Sequence, residues 1–277
     1  MGLSGATLQQ TYVVGELLGS GGMGDVYLAS HARLARQFAI KILNSQVAKN
    51  PEAFARFRRE AQITSELGHP HIVQVIDFNT TPDGSPYLVM EFLDGVDLES
   101  RMQEVGPIPF ESALVVANRI GSALSAAHAK GVVHRDLKPE NIFLCDVPGD
   151  PWFVKVLDFG ISKIRGSTSI LTQEHSVLGT PYYMAPEQAE GENDRIDHRT
   201  DQFALATILY EMITGVSPFG GDNIPSILYR VVHSNPPPVH EVADGISPRV
   251  GGVIAKGMAK NSDDRFDSIG AFVKALR

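Results

Sequence analysis

The chain has 277 residues, 43% of them apolar, enough for a substantial core in one domain or two closely joined lobes. Acidic residues outnumber basic ones by 32 to 24, giving a formal charge of −8 with no basic run to follow a phosphate backbone, so nucleic acid is not an expected partner. Cys145 is the only cysteine, which excludes an intrachain disulfide and a cysteine metal cage and fits a reducing cytoplasm. Neither Met1–Gln10 nor the apolar stretch Ala113–Val133, broken by Arg119, His128 and Lys130, has the form of a signal peptide or a membrane span.

From Tyr12 to Ala29 the pattern is strand, glycine loop, strand, with Gly19, Gly21, Gly22 and Gly24 permitting a tight hairpin whose amides can approach phosphates. A flexible hairpin and a dinucleotide-binding turn share the Gly-x-Gly-x-x-Gly spacing. A dinucleotide turn opens a helix, however, whereas β-prone Val26 and Tyr27 continue as a strand, and no Gly-Lys-Ser/Thr follows as a Walker loop requires. Phe38–Leu43 alternates as a strand that carries Lys41. Asn50 and Pro51 start a helix by cap and first-turn proline, with Phe54, Phe57, Ala61, Thr64 and Leu67 at helical spacing before Gly68. His69-Pro70-His71 offers two ligands around a rigid proline, too few for a metal cage, and is read as structural.

The runs Ile72–Phe78 and Tyr87–Phe92 flank a turn at Thr81–Pro86 and predict a hairpin. Phe110–Lys130 is a long helical pattern stopped by Gly131, with His128 expected as a packing or surface residue. Next come His134-Arg135-Asp136-Leu137-Lys138-Pro139-Glu140-Asn141 and then Asp158-Phe159-Gly160. Asp136 can accept a hydroxyl proton, Asn141 and Asp158 offer hard oxygen ligands to Mg²⁺, and Lys138 can neutralise a transferring phosphate. Between the two motifs, Ile142–Leu144 and Phe153–Leu157 predict a hairpin around an exposed, somewhat extended insert at Asp146–Pro151. Asp201–Ala206 begins another apolar helix, and Asn235–Pro238 reads as a stiff loop between helices.

These motifs, together with Gly179-Thr180-Pro181-Tyr182-Tyr183-Met184-Ala185-Pro186-Glu187, occur in the order found in eukaryotic-type (Hanks-type) serine/threonine protein kinases, and the chain resembles that family over residues 12 to 277, bacterial members in particular. The resemblance implies an α+β bilobal fold. Residues 1–92 would form a small antiparallel-sheet lobe with one main helix, helix C, and residues 93–277 a larger, mainly helical lobe. It implies ATP with Mg²⁺ or Mn²⁺ in the cleft, and transfer to Ser/Thr hydroxyls of protein substrates, this protein included. Asp136, Lys138, Lys41, Glu60, Asn141 and Asp158 would be catalytic, with Glu60 pairing Lys41 and with Asn141 and Asp158 holding the metal. Leu18, Gly19, Gly21, Gly22, Gly24, Val26, Ala39, Lys41 and Phe143 would line the nucleotide. Glu91 and Leu93 would bind adenine through the main chain beside the gatekeeper Met90, and Asp97 would reach the ribose. His134 would be a buried spine residue, and Arg265 would pair with Glu187.

By family position Arg135, Lys163 and Arg56 would converge on a phosphate at Thr172 or Ser176, in a segment whose Thr180 favours Ser/Thr specificity. A homodimer for autophosphorylation and a cytoplasmic site, in a longer membrane-anchored kinase or otherwise, are further expectations. A pseudokinase scaffold and a small-molecule phosphotransferase of the same fold are the alternatives. The intact Lys41, Asp136, Asn141 and Asp158 weigh against the first, and Thr180–Glu187 against the second.

Overall fold

A computed structural model describes residues 4–21, 24–43, 51–159 and 181–277, without the side chains of residues 51–53, 56 and 60. The amino-terminal part is a six-stranded antiparallel sheet of β1 (Thr7–Leu8), β2 (Tyr12–Gly21), β3 (Gly24–His31), β4 (Gln37–Leu43), β5 (Val75–Thr80) and β6 (Pro86–Glu91), in the order β1-β2-β3-β4-β6-β5. Helix α1 (Pro51–Ser65) packs on one face. Alternation along the strands builds two cores from this one sheet. Leu88 and Met90 face Phe57 and Ala61 of α1, whereas Tyr87 and Val89 face Tyr12, Val14, Phe38 and Ile40 on the other side.

The expected hairpin lies at β5 and β6, but its first strand begins three residues late. Ile72 and Val73 leave the sheet to dock on the far lobe, where Ile72 bridges Val156 in parallel and the Val73 N–H donates to the Val156 carbonyl at 3.0 Å. β1, only two residues long, carries too little pattern to be foreseen.

After Glu91 comes a second, three-stranded sheet of β7 (Gly95–Asp97), β8 (Ile142–Val147) and β9 (Asp150–Val156). The insert expected to be extended is short instead. β8 and β9 run to within two residues of each other and turn at Pro148-Gly149, with Gly149 at φ +80°, a conformation that glycine adopts without penalty. Helices α2 (Leu98–Val105), α3 (Phe110–His128), α4 (Pro186–Ala189), α5 (His198–Thr214), α6 (Ile224–His233), α7 (Val239–Val242), α8 (Pro248–Gly257) and α9 (Ile269–Ala275) complete the carboxy-terminal lobe. α5 is buried along nearly its whole length and forms the axis of the large core, meeting α3 through Val116, Ile120 and Leu124. Its Ala204 and Ala206, small where the family has Ser and Gly, are buried there. No helix among the described residues is long and apolar enough to cross a membrane. Burial pushes the Cys145 thiol up to about 11, so it is a packing group with little thiolate at neutral pH.

Candidate active site

Strand register places the expected nucleotide residues on one face. Val26 lies opposite Lys41, Ala39 opposite Met90 and Lys41 opposite Leu88, and directly opposed residues point to the same side, here the side of α1 and the cleft. Gly19 is opposite Val26 at the mouth of the hairpin, and Leu18 beside it is 46% exposed. Phe143 is the cross-strand partner of Asp97 in the second sheet, across the cleft.

Gly24 closes the glycine hairpin at φ +149°, and a Cβ there would lie 2.0 Å from the Ile42 carbonyl oxygen and 2.9 Å from the Leu43 Cα. These are main-chain atoms of the strand that carries Lys41, so they cannot swing away. Gly24→Ala is therefore expected to part β3 from β4, weakening ATP binding and lowering the thermal midpoint together. Wild-type nucleotide affinity in that variant, measured by calorimetric titration, would refute the close packing. Gly22 lies outside the described residues.

Lys41 is 7% exposed, and its Nζ donates to Asp158 Oδ2 at 2.6 Å. The ion pair joins β4 to the segment after β9, and so bridges the lobes. The expected Lys41–Glu60 pairing falls on a side chain outside the described residues, as does that of Arg56, and Lys163, Thr172, Ser176 and Thr180 lie outside them altogether. Asp97 is engaged locally: its carboxylate caps α2, accepting from the Ser100 N–H at 2.7 Å and the Ser100 hydroxyl at 3.0 Å.

Residues of the run His134–Asn141 converge on one network. The Asn141 Nδ2 donates to the Asp136 carbonyl at 2.8 Å and lies 3.4 Å from Asp136 Oδ2, while the Leu157 N–H donates to the Asn141 carbonyl at 2.8 Å. With Nδ2 so committed, Oδ1 is the Asn141 atom left to ligate. Asn141 and Asp158 are hard oxygen donors. Two protein ligands suit Mg²⁺, which keeps phosphate oxygens and water in its remaining positions, and the Asp158 carboxylate already attracts a cation in the form of the Lys41 ammonium. Lys138 lies 3.8 Å from Glu140 in a pair exposed enough to contribute little to stability.

His134 is fully buried, with its ring edge-on to Phe159 at 4.8 Å. Its Nε2 faces the Leu157 carbonyl at 2.8 Å, so the proton sits on Nε2, and Nδ1 accepts from the Asp136 N–H at 3.3 Å. Both Arg135 and Asp158 have positive φ, +66° and +54°, a strain of about 1–3 kcal/mol each for side chains other than glycine.

The anchor for this strained loop is Asp201, which the sequence singled out only as the start of a helix. It is 1% exposed and accepts from the main-chain N–H groups of His134 and Arg135, each at 2.8 Å. His128 contacts the same carboxylate through Nε2 at 2.7 Å, so it is part of the support rather than a general packing or surface residue. The available signal was a charged residue at the head of the apolar run Asp201–Ala206, one turn inside α5, which begins at His198. At the end of β6, Glu91 Oε1 accepts from Lys155 at 2.6 Å and from the Gln74 N–H at 2.7 Å, tying β6 to β9.

Below the cleft, the segment Pro181–Glu187 is fastened by a buried pair. Arg265, 3% exposed, meets Glu187, 2% exposed, through two parallel bonds of 2.9 and 2.8 Å. The Thr200 hydroxyl adds a bond to Glu187 at 2.8 Å, and Tyr183 donates to Glu211 at 2.6 Å.

The protein kinase domain model matches residues 12–269. The chain is 39% identical over 264 residues to the serine/threonine-protein kinase PknB of Mycobacterium leprae, covering 94% of this chain and 42% of that protein. It is 41% identical over 260 residues to the serine/threonine-protein kinase Pkn1 of Myxococcus xanthus, covering 94% and 37%. It thus spans about two-fifths of the length of these curated relatives. Among solved structures, the PknI kinase domain of Mycobacterium tuberculosis superposes with a TM-score of 0.76 at 30% identity, covering 99% of this chain and 97% of that one. A match that runs from β2 to the start of α9, over a two-lobed structure of the same shape, leads to one conclusion: the chain belongs to the protein kinase family, as a catalytic domain of the bacterial serine/threonine type.

Proposed function

We propose that this domain transfers the γ-phosphoryl group of ATP to serine and threonine hydroxyls of proteins, itself among them. The observation that carries the reading is the convergence on one cleft of Lys41, Asp158, Asn141 and Asp136 above a segment fastened by Glu187 and Arg265. Lys41 and the amides of the glycine hairpin hold the phosphates. Asp158 and Asn141 hold Mg²⁺ or Mn²⁺, which when bound neutralises phosphate charge. Asp136 orients the incoming hydroxyl and takes its proton, and Lys138 stands beside it to balance charge on the group in transit. Little covalent chemistry is asked of the protein, so most of the rate comes from positioning and electrostatics.

Arg135, Lys163 and Arg56 belong to a switch in this reading, set by a phosphate on Thr172 or Ser176, since a dianion beside clustered cations forms charge-assisted bonds that order a segment. Autophosphorylation within a homodimer and a cytoplasmic setting complete the proposal. The test is incubation with Mg-ATP labelled in the γ position, followed by phosphosite mapping on this protein and on a Ser/Thr peptide. Label on Ser or Thr is the expected outcome, and label on neither, or ATP binding without transfer, would refute it.

A further inference from the structure

Gln188, in α4, reaches the run His134–Asn141. Its Nε2 donates to the Arg135 carbonyl at 2.8 Å, and its Oε1 accepts from the Ala185 N–H at 3.0 Å. The second bond settles the amide's orientation, because a main-chain N–H can meet only the oxygen, which leaves the NH₂ for Arg135. Gln188 is itself held in place: Glu187 beside it is locked to Arg265, and the Gln188 N–H donates to the Ala185 carbonyl at 2.9 Å.

The Arg135 carbonyl and the Asp136 N–H belong to one rigid peptide plane. Its hydrogen points to His134 Nδ1 at 3.3 Å, and its oxygen is taken by Gln188 at 2.8 Å. The residue before that plane has φ +66°, and its own N–H is held by Asp201 at 2.8 Å. Asp201 therefore fixes the peptide before the strained residue, while the peptide after it is held at its N–H end by the long 3.3 Å bond to His134 and at its carbonyl end by the shorter 2.8 Å bond from Gln188. Remove the Gln188 donor, and the plane loses the shorter of these two bonds, so that it can tilt about the long one to His134 and turn the Asp136 carboxylate with it.

We propose that Gln188 is a positioning residue for phosphotransfer, holding the Arg135–Asp136 peptide so that Asp136 meets the incoming hydroxyl. It links the end of the substrate segment to the proton-accepting carboxylate by one side chain. The inference rests on the phosphotransfer role given to Asp136. Both side-chain bonds of Gln188 go to main-chain groups, at Ala185 and Arg135, so its effect falls on the chemical step through Asp136.

The test uses Gln188→Glu and Gln188→Met. Glu keeps an oxygen for Ala185 but has no N–H for Arg135, and Met keeps the length while removing both bonds. Initial rates on a Ser/Thr peptide, hydrogen exchange at the amides of residues 134 to 137, and thermal midpoints are measured on wild type and both variants. In each variant kcat is expected to fall on the order of 10- to 100-fold, the size of loss that a displacement of about 1 Å produces. KM for ATP should stay within about twofold, since a step made worse only in the transition state leaves ground-state binding intact. Exchange at the Asp136 amide should quicken while that of α5 does not. Wild-type kcat with wild-type exchange overturns the proposal, and so does a loss of kcat that merely follows a fall in thermal midpoint and a rise in KM. If wild type transfers no phosphate the kinase reading fails, and exchange at Asp136 still decides whether Gln188 holds the peptide.

Discussion

Asp158→Asn and Asp136→Asn are each expected to lower kcat on a Ser/Thr peptide by on the order of 10²-fold or more while the protein stays folded. Asparagine is the informative replacement at both positions. Asp158 has φ +54°, a region that Asn enters more readily than most side chains, so no new backbone strain confuses the result. The Asn oxygen can still accept from Lys41, 2.6 Å from the present carboxylate, which keeps the lobes joined. What disappears is the negative charge that, in the proposed mechanism, draws a divalent cation. At Asp136 the main-chain bonds to His134 and Asn141 are untouched by the change, and only the proton acceptor is lost. Steady-state rates with Mg-ATP, read beside the thermal midpoint, check both variants. A folded variant with the wild-type rate would remove that residue from the proposed mechanism.

Arg265→Ala is expected to destabilise the domain by about 3–5 kcal/mol, the range for removing one partner of a buried ion pair. The loss exceeds one bond because the guanidinium also donates to the carbonyls of Ala259 at 2.8 Å and Arg199 at 3.0 Å, and because Glu187 would remain as a charge in the core. Burial pushes the Glu187 carboxyl up, but the Arg265 bonds and charge, with help from its own N–H and the Thr200 hydroxyl, leave it below the usual carboxylate range. The sign of the pH dependence follows. A depressed folded value means that the contribution is fully present above the unfolded value of about 4.3, and is lost as pH falls through the folded one. The stability gap between wild type and Glu187→Gln, measured by denaturant unfolding, should be constant near neutrality and shrink below about pH 4. A gap that widens on acidification would show that the carboxylate is not held by Arg265.

The family was legible in the chain because its motifs are functional groups at short, fixed spacing. The run His134–Asn141 and the triplet at Asp158 carry their acid, amide and base within a few residues, and loops need no periodic pattern to reveal them. Helix α3 was legible for a different reason: the repeat of Leu114, Ala117, Ile120 and Leu124 marks a buried face, and Gly131, at φ +73°, marks the stop.

Periodicity reports that a face is buried, not what lies against it, and that is where tertiary structure decided. Lys41 meets Asp158 across 117 residues of chain, and Asp201 reaches the Arg135 amide across 66. Gln188 finds the carbonyl of the same residue from 53 positions away. A two-residue strand such as β1 has no period at all, and the turn at Pro148-Gly149 was shortened by the pairing of β8 with β9 rather than by its own composition. The sequence by itself determined which polar and charged groups stand in the loop after α3 and at the end of β9, and in what order. Only the fold decided which buried polar groups hold them still, because a polar group removed from water must find its partner wherever packing brings one, and that distance along the chain leaves no local mark.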